Sequence, residues 1–300
     1  MNNFSNDIDF LKKLYDEGQN IMEYMKSKSL STINTIDAIK ISYDLQAGSY
    51  IKMINSNQEY IHQYSEAIAK ILKSLGSYDS ILEIGVGEAT TLGNVLIKID
   101  TPKKILGFDI SWSRIKFAQS YLKKLNIKNA ELFIADLFNI PLADNSIDIV
   151  YTSHSIEPNG GKEQEALKEL YRICKRYIVL LEPAYEFAST EAKERMTRLG
   201  YATNIFNAAK GLGYKIVENR LFDISSNELN PTCLIIIEKI VDIKNQNLYV
   251  CPISQSPMEI IRGSYYCKQS MLLYPILDSI PCLLSNYSMI ATHYLDEEIS

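Results

Sequence analysis

Three carboxylates and two glycines raise the first chemical question. Glu83, Gly85 and Gly87 sit within SILEIGVGEATT, Asp109 lies in ILGFDIS, and Asp136 lies in LFIADLFNIPL. Glycines let the backbone approach a ligand closely, and a helix starting behind them offers its N–H groups to polar ligand atoms. A dinucleotide fingerprint needs a third glycine where this chain has Thr90, and a phosphate-binding P-loop needs a Gly-Lys-Ser/Thr that is absent. Glu88, directly after the second glycine, is costly beside a pyrophosphate because like charges repel strongly in a shielded loop. The pattern suits a positively charged nucleoside without phosphate, held by acids. A second group, His154 and Glu157, stands three residues apart in TSHSIEPNGGKEQ. An imidazole with an ordinary pKa near 6.5 can remove a proton from an oxygen or a protonated amine. The competing reading makes His154 a loop residue bonded to backbone and Glu157 a cap for the helix starting near Gly161.

These residues need a scaffold that brings strand ends together. Short apolar runs predict strands at Ile81–Ile84, Lys104–Phe108, Ala130–Ile134, Ile147–Tyr151, Ile178–Leu181, Lys215–Phe222 and Cys233–Glu238. Helical spacing fills most of the gaps, at 90–98, 113–125, 162–175 and 189–212. Seven strands alternating with helices imply an α/β fold, a doubly wound and mainly parallel sheet. The last two strands are joined by SSNELNPT, too short for a parallel crossover, so that pair must be antiparallel. In such sheets ligands bind beyond the carboxyl ends of the strands, which is where Glu83, Asp109 and Asp136 fall. The first 75 residues read as helices over 7–28, 34–54 and 57–76, rich in tyrosine. They are expected either to pack on the main domain or to form a lid over the site.

The segments ILEIGVGEATT, ILGFDIS, ELFIADLFNIPLADNSIDIVYTSHSIEP and ELYRICKRYIVLLEP resemble, in order and spacing, the motifs of class I S-adenosylmethionine-dependent methyltransferases of the type 11/25 kind. The resemblance runs over about 75–240. It implies a Rossmann-like methyltransferase domain (76–243) that uses S-adenosyl-L-methionine and releases S-adenosyl-L-homocysteine. Asp109 would hold the ribose hydroxyls, with Phe108 and Ile110 flanking the adenine. Asp136 would accept from the adenine amino group, with Leu137 against the ring. Glu83 and the backbone of Gly85, Val86 and Gly87 would orient the amino-acid tail, and Ser153 would lie near the methionine portion. His154 and Glu157 would stand closest to the chemistry. Glu182, Tyr185 and the lid residues Tyr43 and Tyr50 would contact the methyl acceptor. Glu88 is left at the pocket rim without a role.

After Lys244-Asn245-Gln246-Asn247 the texture changes to short β-like pieces and turns. Residues 248–300 form a separate small domain, and CP…C…YPILDSIPCLL resembles the zinc-ribbon-like (Trm112-like) domain of methyltransferase activators. Tetrahedral zinc needs four good ligands, yet Cys251-Pro-Ile-Ser254 and Cys267-Lys-Gln-Ser270 each keep one cysteine and put serine in the second place. Cys282 and His293 do not complete a familiar spacing, so no metal is expected. Its core is small, so the tail should pack on the main domain or on a partner subunit, as in a homodimer.

The totals narrow the function class. With 31 Lys and Arg against 36 Asp and Glu, the net charge is −5 and the basic residues are scattered, which disfavours a nucleic-acid surface. Five cysteines are too few and too scattered for a disulfide framework, and the acidic N-terminal stretch is no signal peptide; a cytoplasmic home is expected. The reading is a methyltransferase acting on an oxygen or nitrogen of a small-molecule or glycan-linked acceptor, with a nucleotide-sugar or surface-glycan precursor in view. An RNA or protein methyltransferase and a non-catalytic binding subunit with the same fold stay open.

Overall fold

The computed structural model describes residues 7–29, 33–241 and 247–296. The domain boundary expected at Lys244-Asn245-Gln246-Asn247 lies outside them except for Asn247, as do the first six and last four residues.

One seven-stranded sheet organises the chain. Its strands are β1 (Ser80–Ile84), β2 (Lys104–Asp109), β3 (Ala130–Ile134), β4 (Ile147–Ser153), β5 (Cys174–Pro183), β6 (Lys215–Leu221) and β7 (Thr232–Glu238), in the order β3-β2-β1-β4-β5-β7-β6. The first five are parallel. β7 runs antiparallel to both β5 and β6, the second as the short SSNELNPT connection requires. Helices cover both faces, so every residue of β1 is buried, which is why the central strands are near-continuous apolar runs rather than alternating ones. The strand order reverses between β1 and β4, and their carboxyl ends part there to open a crevice.

The helices are shorter than the periodicity predicts. The run over 189–212 divides into α9 (Thr190–Leu199) and α10 (Ile205–Gly211), because α9 stops at Gly200. At the other end of the chain, α1 (Ile8–Asp16) and α2 (Ile21–Ser29) replace one predicted helix, and α3 (Ile36–Leu45) and α4 (Ser49–Ser56) replace another, followed by α5 (Gln58–Ser74). The α3–α4 break is at Gly48, whose φ of +90° is closed to most side chains. Only the glycine marks that corner in the sequence. The remaining helices are α6 (Thr90–Leu96), α7 (Trp112–Lys124) and α8 (Glu163–Ile173).

Residues 248–296 form a four-stranded antiparallel sheet of Glu259–Ile261, Ser264–Cys267, Leu272–Tyr274 and Met289–Ile290, with a two-stranded ribbon beside it. They pack along β3, the outer strand of the main sheet. Ile134 bridges Cys282 in parallel register, Leu283 N donates to Ile134 O at 2.9 Å, and Tyr249 Oη donates to Glu131 at 2.9 Å. Cys251, Met258, Tyr265, Tyr274 and Leu283 join the apolar core that also holds Phe133 and Leu142. An edge strand with unpaired backbone groups invites aggregation unless covered, and the tail covers this one.

The four positions of the doubled C-x-x-S pattern meet inside the tail. Ser254 Oγ lies 3.6 Å from Cys267 Sγ, Ser270 Oγ donates to Cys251 Sγ at 3.7 Å, and Cys251 Sγ lies 3.3 Å from Tyr274 Oη. Both thiols are buried, and each has a hydroxyl neighbour within hydrogen-bonding distance. Among the described residues no group of three or more His, Cys, Asp or Glu is arranged to hold a metal. Cys282 sits against β3, and His293 pairs with Asp296 at the surface. A chelator is therefore expected to leave the melting temperature unchanged. The double variant Ser254→Cys/Ser270→Cys should take up one zinc ion and melt higher with zinc than without; differential scanning fluorimetry with and without EDTA checks both.

Candidate functional site

A cavity of about 400 Å³ opens at the reversal point, within the range of about 300–1,000 Å³ typical of small-molecule sites. The turn after β1 forms its floor. Gly85 has a φ of +61°, and a Cβ there would sit 2.3 Å from Ser155 Cβ, so no side chain fits. Val86 N donates to Phe108 O at 2.8 Å and Gly87 N donates to Asp109 Oδ2 at 3.0 Å, which ties the turn to the end of β2. Asp109 also accepts from Ser111 N at 2.9 Å. Glu83 is 2% exposed and accepts from Tyr151 Oη at 2.6 Å. Burial pushes its carboxyl up to about 8; the charge of Asp109 adds to this, while Tyr151 and the Leu92 amide draw it back only in part. A buried acid with its pKa so raised stands ready to ionise against a cation.

The loop after β4 forms one wall. His154 adopts a φ of +55°, uncommon outside glycine and asparagine. It is locked from both sides: Nδ1 lies 2.5 Å from Glu157 Oε2, and Nε2 lies 2.8 Å from Thr232 Oγ1. Asn230 Nδ2 donates to Glu157 Oε2 at 3.0 Å. Burial lowers the His154 pKa, but the charge and hydrogen bond of Glu157, with Glu182 behind, more than offset it and hold the imidazole above its ordinary 6.5. For Glu157, burial acts upward and the His154 charge and hydrogen bonds outweigh it, so its carboxyl lies below the usual range. The two form an ion pair with its outer nitrogen on a hydroxyl that itself lines the cavity.

Helices α3, α4 and α5 make the roof, contributing Ile36, Tyr43, Tyr50, Met53, Tyr60 and Tyr64. Two acids latch it. Glu88 is 1% exposed and accepts from Gly48 N (2.9 Å), Tyr50 N (3.3 Å) and Ile51 N (2.8 Å), the free amides at the start of α4. In return, Asp44 of α3 accepts from Ser111 Oγ (2.6 Å) and from Ser113 N and Oγ (3.2 and 3.0 Å) at the start of α7. Tyr64 Oη lies 2.9 Å from Ser153 Oγ. The N-terminal helices are thus fastened to the glycine turn by carboxylates that neutralise helix N-termini.

The cavity gathers Glu83, Gly85, Val86, Gly87, Phe108, Asp109, Ile110, Leu137, Ser153, His154, Glu157, Tyr43 and Tyr50 from the residues singled out in the sequence. Three stand apart from its lining. Asp136 turns its carboxylate back onto Phe138 N at 3.0 Å, while its neighbours Ala135 and Leu137 face the space. Glu182 is fully buried behind the β4 loop and accepts from Ser155 N, Ile156 N and Glu157 N at 3.0, 3.1 and 3.0 Å. It shapes the loop rather than meeting an acceptor, a correction that follows from three amides needing an acceptor in a dry interior. Tyr185 starts a short 3-10 turn and stacks with Lys193, away from the cavity. Missed in the sequence were Arg114, Glu88 in its latching role, and the β6–β7 connection, whose Ser225, Ser226, Asn227 and Asn230, with Thr232 at the start of β7, complete the wall. That connection reads as turn chemistry, and only the pairing of β7 beside β5 swings it over the site.

Residues 81–177 match the family described as "Methyltransferase domain". Among curated proteins, the malonyl-[acyl-carrier protein] O-methyltransferase of Marinomonas sp. (strain MWYL1) is 26% identical over 144 residues, 47% of this chain and 52% of that protein. The chain spans about half, or less, of the length of the curated relatives it matches. A solved S-adenosyl-L-methionine-dependent methyltransferase of Methanococcus maripaludis aligns with a TM-score of 0.51 at 18% identity, covering 68% of this chain and 96% of that one. A chain from the complex between the Haloferax volcanii Trm112 methyltransferase activator and a methyltransferase aligns at 0.51 and 14% identity, covering 69% and 100%. These structures share the fold, a Rossmann-like α/β sheet with flanking helices. Residues 81–177 are the part of the chain that the methyltransferase family model matches.

Proposed function

We propose that this protein transfers a methyl group from S-adenosyl-L-methionine to an oxygen or nitrogen of a small, hydroxyl-bearing acceptor of the kind found in nucleotide-sugars and glycan precursors. The donor would supply a methyl group on a sulfonium. The observation that carries the reading is a single cavity with acids and a side-chain-free glycine turn at one side and the His154–Glu157 pair at the other. The donor set fits a cationic, phosphate-free nucleoside. Asp109, at the end of β2, would meet the sugar hydroxyls, Glu83 supplies an ionisable carboxyl for the amino-acid portion, and the Gly85–Gly87 turn brings bare backbone to the cavity. On the acceptor side Ser225, Ser226, Asn227, Asn230 and Thr232 present neutral hydroxyls and amides, which suits a polyhydroxylated molecule. His154 then takes the acceptor's proton, Glu157 holds the imidazole, and the aromatic roof keeps water out. Positioning supplies much of the rate in such displacements.

The tail enters this reading as a built-in counterpart of a separate activator, holding the β3 edge of the sheet. No helix among the described residues is long and apolar enough to cross a membrane, and a cytoplasmic setting agrees with the five free thiols. Calorimetric titration with S-adenosyl-L-homocysteine tests the donor assignment first, and saturable heat is expected. Transfer of label from methyl-labelled donor into a panel of nucleotide-sugars, oligosaccharides, carboxylic acids and RNA then tests the acceptor, with label expected in the hydroxylated compounds. Absence of any heat would leave a non-catalytic fold relative; label in RNA alone would overturn the small-molecule assignment.

A further inference from the structure

Among the described residues lining the cavity, Arg114 is the one arginine or lysine. It springs from the first turn of α7 and folds back over the glycine turn, where its Cζ lies 3.3 Å from the place a Cβ on Gly87 would take. The residue is 6% exposed and its Nε has no hydrogen-bond partner. The rings of Tyr43 and Tyr50 flank the guanidinium, with centroids 5.0 and 4.5 Å from Cζ. The acids around it are Asp109 and Glu88, and Tyr43 and Tyr50 are its other titratable neighbours. Both carboxylates are already engaged with backbone amides, Asp109 with Gly87 and Ser111 and Glu88 with the start of α4. A buried guanidinium with an open donor is expensive unless an anion completes it, and its planar fork matches a carboxylate in two parallel hydrogen bonds.

We infer that Arg114 receives the α-carboxylate of the methyl donor. The inference rests on the donor assignment made above and goes beyond it to a residue that the family resemblance did not mark. The charges pair by elimination. The donor carries a sulfonium, an ammonium and a single carboxylate; the cavity offers several acids for its cations and hydroxyls, and one permanently charged cation for its anion. Because Tyr43 and Tyr50 belong to α3 and α4, the same arginine joins the roof to the donor: closing the helices sets the guanidinium, and an anion on the guanidinium holds the rings.

Two nucleosides separate this role from a structural one. S-adenosyl-L-homocysteine carries the amino-acid portion, whereas 5′-methylthioadenosine keeps adenine, ribose and sulfur but lacks the carboxylate. In calorimetric titrations of the full chain, Arg114→Met is expected to weaken S-adenosyl-L-homocysteine roughly 10- to 100-fold, the scale of losing charge-assisted hydrogen bonds. Binding of 5′-methylthioadenosine should change less than about threefold, and Arg114→Lys should recover part of the loss. Equal weakening of both ligands would assign Arg114 to the roof's architecture and overturn the inference, as would unchanged S-adenosyl-L-homocysteine affinity. Binding by wild type with unchanged ratios in the variants sinks Arg114 alone; wild type that binds neither nucleoside sinks the donor assignment itself.

Discussion

Replacing His154 with asparagine is expected to lower turnover roughly 10²- to 10⁴-fold, the usual contribution of a positioned general base, while S-adenosyl-L-homocysteine affinity moves by less than about threefold. Asparagine is the informative substitute because it tolerates the positive φ of this position and removes only the titrating ring. In the proposed role Glu157 would fix Nδ1, while Nε2 faces Thr232 Oγ1, a cavity-lining hydroxyl, so the ring edge stands at the cavity wall. The base form is the neutral one. Since Glu157 holds the imidazole above 6.5 against the downward push of burial, activity should rise with pH through a midpoint above 6.5 and then level. Glu157→Gln removes the opposing charge and leaves burial in command, so the midpoint should move to lower pH. A profile that stays in place, or an unimpaired His154→Asn enzyme, removes the pair from the reaction.

The same pair gives a stability signature. His154 is raised and Glu157 lowered relative to ordinary values of 6.5 and 4.5. Its stabilisation is therefore fully present between about 4.5 and 6.5. It fades above as the imidazole loses its proton through the raised value, and below as the carboxyl gains one. Chemical denaturation of wild type and His154→Asn across this range should diverge most inside that window.

Much of this scaffold was readable from apolar runs, because a strand buried on both faces leaves an uninterrupted signal: the runs Ile81–Ile84 and Cys233–Glu238 fall inside β1 and β7. Part of the cavity lining was readable too, since Glu83, Gly85, Gly87 and Asp109 are adjacent to strand ends, and topology alone carries strand ends to the crevice. What escaped the sequence depends on partners distant along the chain. Glu88 looks like a rim acid until α4 is placed above it, forty residues earlier. Glu182 looks like an acceptor contact until three amides of the β4 loop are seen to need it. Arg114 looks like one more charge on an amphipathic helix, because nothing local says that its side chain turns back over Gly87. Asp136 shows the opposite limit: its position after β3 is as expected, yet the side chain closes a turn on Phe138.

Glu83→Gln should weaken donor binding by roughly 100-fold at pH 9 and by far less at pH 6, a loss that depends on pH because the wild-type group titrates. With its carboxyl raised to about 8 by burial, Glu83 is largely protonated at neutral pH in the free protein. A cationic donor favours the ionised form, so binding must release a proton. Between pH 6 and about 8, wild-type affinity should therefore rise by up to about tenfold per unit. The donor's own α-amino group titrates near 7.7–8.0, which makes the difference between wild type and Glu83→Gln, rather than either curve alone, the quantity that decides. Titrations at pH 7 in buffers of differing ionisation enthalpy should show close to one proton released by wild type and markedly fewer by the variant. The sign for stability runs against the common carboxylate case. Between about 4.5 and 8 the folded chain keeps a proton that the unfolded chain has lost, so the free protein should lose stability as pH rises through that window. Glu83→Gln should flatten that slope, and saturating S-adenosyl-L-homocysteine should reverse it, because the ligand stabilises the ionised carboxyl. Equal pH dependence in wild type and variant would mean that Glu83 is a packed, permanently neutral partner of Tyr151 and that the donor's positive charge is met elsewhere.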